Sequence, residues 1–284
     1  MKAVPIIAAL VLSICSLASA AEPELVKVEL FTDAAELRPG QTFTAFVRLT
    51  IAEGWHIYWK NPGDSGQATR VNWVLPEGFA ASELLYPVPS VFRDTATINF
   101  GYSGTVVFVA RITPGPDAGK LKDLSLGANV SWLRCSADVC VPGRASLQAS
   151  LPAPADQQKT GGELAKAWLP RIPNEAAPGD LIITGALAPD TAGNSSGQFE
   201  IRVRGLKDVN SLKDLAFFPG LMPALSIDKT RIGREDGQVV VTFSAHVLKG
   251  LKLPSTTLDS VLAYSDPTGE RRGVNVAIPL LPAR

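Results

Sequence analysis

The chain has 284 residues, in which 27 lysines and arginines balance 27 aspartates and glutamates. This balance, without a basic stripe along the sequence, argues against nucleic acid as a partner. The charged fraction is low at 19%, and 24 glycines and 22 prolines supply many turns, which favours an all-β protein. The length predicts two domains of roughly 100–150 residues each.

Residues 1–20 have the pattern of a signal peptide. Lys2 precedes an apolar run, Ala3–Leu17, that is too short to span a bilayer, and Ala18–Ala20 is a small-x-small cleavage site. We therefore predict that the chain is exported and cleaved after this site, which also removes Cys15. A lipoprotein signal is the alternative, but Ile14 is bulky where a small residue is expected before the cysteine.

Seven short β-rich runs follow, separated by turn formers such as Arg38-Pro-Gly40 and Pro76-Glu-Gly78. The predicted strands are Leu25–Phe31, Thr42–Ile51, Trp55–Trp59, Arg70–Leu75, Thr105–Ile112, Leu124–Trp132 and Ala145–Leu151. This number and spacing of strands predict an immunoglobulin-like β-sandwich over residues 21–153.

A Pro/Ala-rich segment, residues 154–178, is predicted as a linker that contains the only plausible helix, Gly162–Leu169. The β pattern then restarts, and a second sandwich without cysteine is predicted over residues 179–284. Its strands are predicted at Leu181–Leu187, Gln198–Val203, Ala224–Asp228, Gln238–Val247, Ser260–Ser265 and Gly273–Pro279. Glu235-Asp-Gly237 is predicted as a hairpin turn.

After removal of the signal peptide, Cys135 and Cys140 are the only cysteines. Both flanking stretches are predicted strands, so the pair should lie at the base of a hairpin loop, close enough for a disulfide. A bond closing so short a loop stabilises a protein by only about 2 kcal/mol in the chain-entropy model. The spacing is not Cys-x-x-Cys, so a thioredoxin-type site is not indicated. An inert staple and a redox-active pair both remain open at this point.

Four motifs together resemble the N-terminal periplasmic domain of the DsbD family, and most of all its ScsB-like branch, which is named for suppression of copper sensitivity. They are Trp55-His-Ile-Tyr-Trp-Lys-Asn-Pro-Gly-Asp-Ser-Gly66, Pro76-Glu-Gly-Phe79, Asn99-Phe-Gly-Tyr102 and Trp132-Leu-Arg-Cys-Ser-Ala-Asp-Val-Cys-Val-Pro142. The resemblance implies an immunoglobulin-like sandwich in the periplasm whose cysteine pair is redox-active, with Cys135 and Cys140 as the catalytic residues.

The resemblance also implies partners. In that family the pair accepts electrons from a thioredoxin-like or membrane-embedded module and passes them to periplasmic thioredoxin-fold proteins, such as disulfide isomerases and cytochrome-maturation factors. This sequence ends at Arg284 without a membrane-spanning region, so we expect a separate membrane-embedded electron donor. The second cysteine of the motif usually forms the mixed disulfides, which assigns that role to Cys140 and the resolving role to Cys135. No cofactor or metal is expected.

A family feature is a loop that caps the pair with an aromatic side chain. Residues Pro87–Ile98 are the best match, with Phe92 as the candidate shield. The alternative is that Phe92 is an ordinary core residue.

Three other features of the sequence suggest alternative functions. Gly63-Asp-Ser-Gly66 is similar to a serine-protease nucleophile loop, but neither His56 nor His246 has the surroundings of a triad base. The two histidines are too far apart in sequence for a typical zinc or copper site with the cysteines. Aromatic residues around Trp55 could form a carbohydrate-binding face. The strongest competing function is a non-enzymatic periplasmic binding or scaffolding module with a structural disulfide.

Overall fold

The computed structural model describes residues 25–93, 97–177, 179–189 and 195–281. These residues form four β-sheets and one α-helix, which confirms the predicted all-β class. The predicted signal peptide and its cleavage site lie outside the described residues, as do residues 94–96 of the predicted cap loop.

Ten strands make up the first half of the chain. They are β1 (Val26–Thr32), β2 (Phe43–Ile51), β3 (His56–Gly63), β4 (Arg70–Val74), β5 (Ala80–Ala81), β6 (Ser90–Arg93), β7 (Ile98–Tyr102), β8 (Thr105–Thr113), β9 (Leu124–Cys135) and β10 (Cys140–Leu151). One sheet has the order β1-β2-β8-β5, and the other has the order β10-β9-β3-β7-β6, with β4 also paired to β9. All seven predicted strands of this half are present.

Strand β9 shows why the sequence folds in this way. Leu126, Ala128, Val130 and Trp132 occupy alternate positions and are all buried. Because side chains of a strand alternate between its two faces, this spacing turns one apolar face towards the core. The intervening residues face the other side, and β10 pairs with β9 along its full length.

The hairpin β6–β7 is the main element that the sequence did not predict. Pro87 and Pro89 favour a loop, yet Ser90–Arg93 pairs antiparallel with β7, with Phe92 opposite Asn99. Strand β7 also lies very close to β3, because a Cβ added at Gly101 would overlap the carbonyl oxygen of Ile57. Glycine is required here so that the two backbones can approach, which explains this part of the Asn99–Tyr102 motif.

The helix α1 (Ala155–Trp168) begins seven residues before the predicted Gly162–Leu169. It packs on the outer face of the first sheet, where Leu164 contacts a small apolar cluster with Phe46, Val107 and Val109. Gly161 lies against the end of β1, with its Cα side facing the carbonyl oxygen of Thr32. The burial of Gly161 and Leu164 therefore lets the helix run through two adjacent glycines, which disfavour a helix.

The second half of the chain again contains two sheets. Its strands are β11 (Asn174–Glu175), β12 (Leu181–Thr184), β13 (Ala188–Pro189), β14 (Ser195–Val203), β15 (Lys213–Phe218), β16 (Leu225–Glu235), β17 (Gln238–Val247), β18 (Thr257–Ser265) and β19 (Arg271–Pro279). The sheet orders are β11-β19-β18-β15 and β12-β14-β17-β16. Strands β16 and β17 are joined through Asp236 and Gly237, which both have positive φ. This is the backbone of a type I′ hairpin turn and confirms the predicted turn.

Apolar contacts join the two halves. Phe218 on β15 is fully buried, and its ring lies 5.9 Å from that of Trp59 and 5.1 Å from that of Phe100, between ring centroids. Nearby, the Asn61 side-chain amide donates a hydrogen bond to the carbonyl oxygen of Pro219. Trp59 is thus part of a core shared with the second half.

Candidate redox site

The β9–β10 hairpin brings the two cysteines together. Cys135 is the last residue of β9 and Cys140 the first of β10; they are direct cross-strand partners with Cα atoms 4.1 Å apart, and they form a disulfide. Ser136 organises the four-residue loop between them, since its hydroxyl accepts hydrogen bonds from the amides of Asp138 and Val139. The predicted position at the base of a hairpin loop is confirmed.

The two sulfurs have different surroundings. Cys135 is 2% exposed, whereas Cys140 is an exposed residue that follows the exposed Val139. In thiol–disulfide exchange the incoming thiolate must reach the sulfur that it attacks. An incoming sulfur therefore has access to Cys140 and not to Cys135.

Tyr58 contacts the buried sulfur. Its hydroxyl donates a hydrogen bond to Sγ of Cys135 across 3.0 Å, although the two residues are 77 positions apart in the sequence. The tyrosine itself is only 2% exposed. A buried O–H group directed at a sulfur atom stabilises negative charge that develops on that atom.

The Gly63–Gly66 loop holds the tyrosine in place. Gly66 has φ +100° and lies against the Tyr58 ring so closely that an added Cβ would overlap ring atoms. Ser65 fixes the loop, because its amide and its hydroxyl both donate hydrogen bonds to Oδ1 of Asn99, at 3.0 and 3.1 Å. The structure thus gives this serine an asparagine as its partner, and the loop supports Tyr58.

His56 lies beside Cys135 on the neighbouring strand. The two residues are direct partners in the β3–β9 register. Nε2 of His56 is buried and has no hydrogen-bond partner in the part of the chain that the structure describes. Burial lowers the pKa of this imidazole from its ordinary value of 6.5, because desolvation disfavours the charged form.

Phe92 reaches the site through His56. The two rings are stacked with centroids 4.6 Å apart and an angle of 17° between their planes. His56 also makes an edge-to-face contact with Tyr58, at 5.2 Å between centroids. Phe92, His56 and Tyr58 thus form a continuous aromatic layer beside Cys135, with Phe92 from β6 on its outer side.

Trp132 and Gly143 explain another part of the cysteine motif. They are cross-strand partners in the hairpin, and an added Cβ at Gly143 would overlap the indole ring of Trp132. Gly143 on β10 therefore leaves room for the indole ring of Trp132 on β9. On the opposite edge of the site, the Arg134 guanidinium lies 5.9 Å from the ring centroid of Trp55.

The burial of two aromatic residues argues against a carbohydrate-binding face. Tyr58 and Trp59 are both buried, at 2% and 1% exposure, so they offer no aromatic surface to a sugar. Within the described residues, no group of three or more histidine, cysteine, aspartate or glutamate side chains could hold a metal ion.

Comparison with known proteins identifies the first half of the chain. The model of the family described as "Thiol:disulfide interchange protein DsbD, N-terminal" matches residues 22–152. This region belongs to the DsbD N-terminal domain family. No curated protein sequence matches the chain.

Two solved structures give the fold a wider context. The N-terminal periplasmic domain of ScsB from Proteus mirabilis matches with a TM-score of 0.61 at 18% identity, covering 92% of this chain and 96% of that one. The N-terminal domain of DsbD from Neisseria meningitidis, in its reduced form, matches with a TM-score of 0.30 at 12% identity, covering 43% and 83%. The ScsB match shows that the fold of both halves resembles one periplasmic domain of that protein. Among the described residues, no helix has the length and apolar character needed to cross a membrane.

Proposed function

We propose that the protein is a periplasmic thiol–disulfide exchange protein that relays electrons through Cys135 and Cys140. Its electron donor is a separate membrane-embedded reductase module, and its acceptors are thioredoxin-fold proteins. The observation that carries this proposal is the asymmetry of the pair: Cys140 is exposed, while Cys135 is buried with the Tyr58 hydroxyl on its sulfur. A disulfide that serves only as a staple has no need for such a difference.

The asymmetry supports a defined order of steps. A donor thiolate attacks Sγ of Cys140, the Cys135–Cys140 bond breaks, and its electron pair goes to Cys135 as a thiolate that accepts the Tyr58 hydrogen bond. The second donor thiol then loses its proton and attacks its own half of the mixed disulfide, so Cys140 leaves as a thiolate. Two electrons have then passed from the donor dithiol to this pair, and the two thiolates take up the two protons that the donor thiols released.

Delivery to an acceptor is the reverse sequence. The Cys140 thiolate attacks the partner's disulfide and forms a mixed disulfide while one partner thiolate leaves. Cys135 then loses its proton and attacks Sγ of Cys140, which releases the second partner thiolate and restores the disulfide. In both directions Cys140 forms the bond to the partner. Cys135 resolves the mixed disulfide during delivery, and the donor's second thiol resolves it during uptake.

The remaining features belong to the same proposal. Phe92, stacked on His56 at the outer side of the aromatic layer, shields the pair from solvent thiols. The signal peptide is removed after Ala20. Residues 21–153 and 179–284 are two sandwich domains, and residues 154–178 connect them.

Trapping tests the assignment of the two sulfurs. The Cys135→Ala variant, with Cys140 first activated as a mixed disulfide with thionitrobenzoate, should form a stable mixed disulfide with a purified thioredoxin-fold protein that lacks its own second cysteine. The partner thiolate displaces thionitrobenzoate, and no resolving thiol remains on either side. The Cys140→Ala variant is the matched control and should trap nothing, since Cys135 is buried. Stable adducts on Cys140→Ala alone would reverse the assignment.

The reduction potential separates exchange from an inert staple. Wild-type protein should equilibrate with glutathione and exchange with the thioredoxin-fold probe. A potential below about −300 mV, without exchange, would contradict the relay and favour a binding or scaffolding module with a structural disulfide.

A further inference from the structure

His56 is a half-buried titratable group, with its Nε2 atom buried, and it takes no part in the exchange steps described above. It stands directly opposite Cys135 in the β3–β9 register. Side chains at paired positions of antiparallel strands point to the same face, with Cβ atoms roughly 4.5–5.5 Å apart. The imidazole is therefore a neighbour of the sulfur that must gain and lose a proton.

The state of the imidazole suits a proton acceptor. Its Nε2 is buried and lacks a hydrogen-bond partner among the described residues, which is a costly arrangement in a folded protein. A proton or hydrogen-bond partner for Nε2 in another redox state of the site would remove this cost. The lowered pKa of His56 keeps the ring neutral near pH 7, with a nitrogen free to accept a proton.

The groups around His56 favour the Cys135 thiol as its proton donor. On β3, Tyr58 touches the imidazole edge-on, and its hydroxyl is directed at Cys135. On β9, the Arg134 guanidinium lies near Trp55, and on β6 the neighbour of Phe92 is the exposed Arg93. No salt bridge within the described residues involves His56.

We propose that His56 exchanges a proton with the Cys135 thiol each time the Cys135–Cys140 bond closes or opens. This rests on the proposed function and deepens it. When the bond closes, His56 takes the proton from the Cys135 thiol; the resulting thiolate attacks Sγ of Cys140, and the partner sulfur leaves with the electron pair. When the bond opens, the imidazolium returns the proton to the Cys135 thiolate.

The role is distinct from that of Tyr58. The tyrosine hydroxyl acts as a hydrogen-bond donor to the Cys135 sulfur. The imidazole changes its protonation state during the reaction. A general base of this kind contributes typically 10²–10⁴-fold to a rate.

The test follows the resolving step with oxidised glutathione as the partner disulfide. Reduced full-length protein is mixed with oxidised glutathione, quenched with acid at short times, and analysed by mass for glutathione on Cys140. His56→Phe keeps a ring to stack on Phe92 and removes the nitrogens; His56→Gln is a second non-titrating variant. His246→Phe, which changes the other histidine of the chain on β17, is the matched control.

In wild type and in the control variant, the glutathione adduct should resolve quickly and remain scarce at pH 7. In both His56 variants it should accumulate, with resolution at least tenfold slower, and raising the pH towards 9 should restore the rate because the thiol then ionises by itself. Resolution rates and pH profiles equal to wild type would overturn the role of His56. Failure of oxidised glutathione to convert reduced wild-type protein to its disulfide form would instead contradict the proposed function.

Discussion

Replacing Tyr58 by phenylalanine tests how the protein stabilises the buried sulfur. The change removes the hydroxyl that lies 3.0 Å from Sγ of Cys135 and keeps the ring that packs against Gly66. When the disulfide opens, Cys135 becomes a thiolate, and a hydrogen bond to a charged group contributes about 1.5–3 kcal/mol. A loss of about 1.4 kcal/mol of this in the transition state slows the reaction about tenfold.

The assay is stopped-flow reduction of the disulfide by dithiothreitol at pH 7, with wild type and variant compared under the same conditions. We expect Tyr58→Phe to react about tenfold more slowly. Tyr86→Phe is the matched control, because the Tyr86 hydroxyl donates its hydrogen bond to the backbone oxygen of Thr69 instead of to a sulfur. This control should react at the wild-type rate.

The hydrogen bond from Tyr58 to Cys135 should also affect the reduction potential measured at equilibrium. Above the pKa of the Cys135 thiol, losing about 1.4 kcal/mol of thiolate stabilisation lowers the reduction potential of the pair by about 30 mV. The variant must first show the circular dichroism spectrum and cooperative unfolding of wild type. If a folded Tyr58→Phe protein is reduced as fast as wild type, the hydrogen bond has no role in exchange and the reasoning is refuted.

Three further outcomes follow from the geometry of the site. Phe92→Ala should speed alkylation of the reduced thiols by iodoacetamide, and an unchanged rate would show that this ring is no shield. Gly66→Ala should lower the free energy of unfolding by at least about 2 kcal/mol in urea titrations, because a Cβ meets the Tyr58 ring as well as a positive φ. Gly54→Ala, with positive φ and open space, should cost less, and equal losses would contradict the clash. Burial lowers the pKa of His56 from 6.5, so the unfolded chain binds more protons as the pH falls through 6.5. The free energy of unfolding of wild type should therefore fall over that pH range relative to that of His56→Phe. If the two free energies change in parallel with pH, the pKa of His56 is not lowered in the folded state.

Sequence periodicity located most strands but misjudged elements that depend on packing. The strand β6 follows two prolines and was expected to be loop; it forms because β7 offers it a pairing edge. The helix continues through Gly161 and Gly162 because Gly161 and Leu164 are buried on the first sheet, which local propensity cannot register. Strand ends shifted for the same reason, since pairing partners decide where a ladder stops.

Some residues of the candidate site could be found from local sequence patterns, and others only from the pairing of distant strands. The sequence located Cys135 and Cys140 and their place in a hairpin, because the loop is short and its geometry is local. It named Tyr58 only as one of several aromatic residues and weighed His56 only as a triad base or metal ligand. Their contact with the pair depends on the register between β3 and β9, which no short-range pattern encodes.

By itself the sequence determined the β class, the cysteine hairpin and the family of its first half, because strand periodicity, turn chemistry and motif spacing act over a few residues. Only the tertiary structure decided that Cys135 is buried under a tyrosine hydroxyl while Cys140 is exposed. It also decided that His56 stacks on Phe92 and stands opposite the buried Cys135 in the strand register. These features arise where strands far apart in sequence pair and exclude water, and the physical difference between the two sulfurs is a product of that packing.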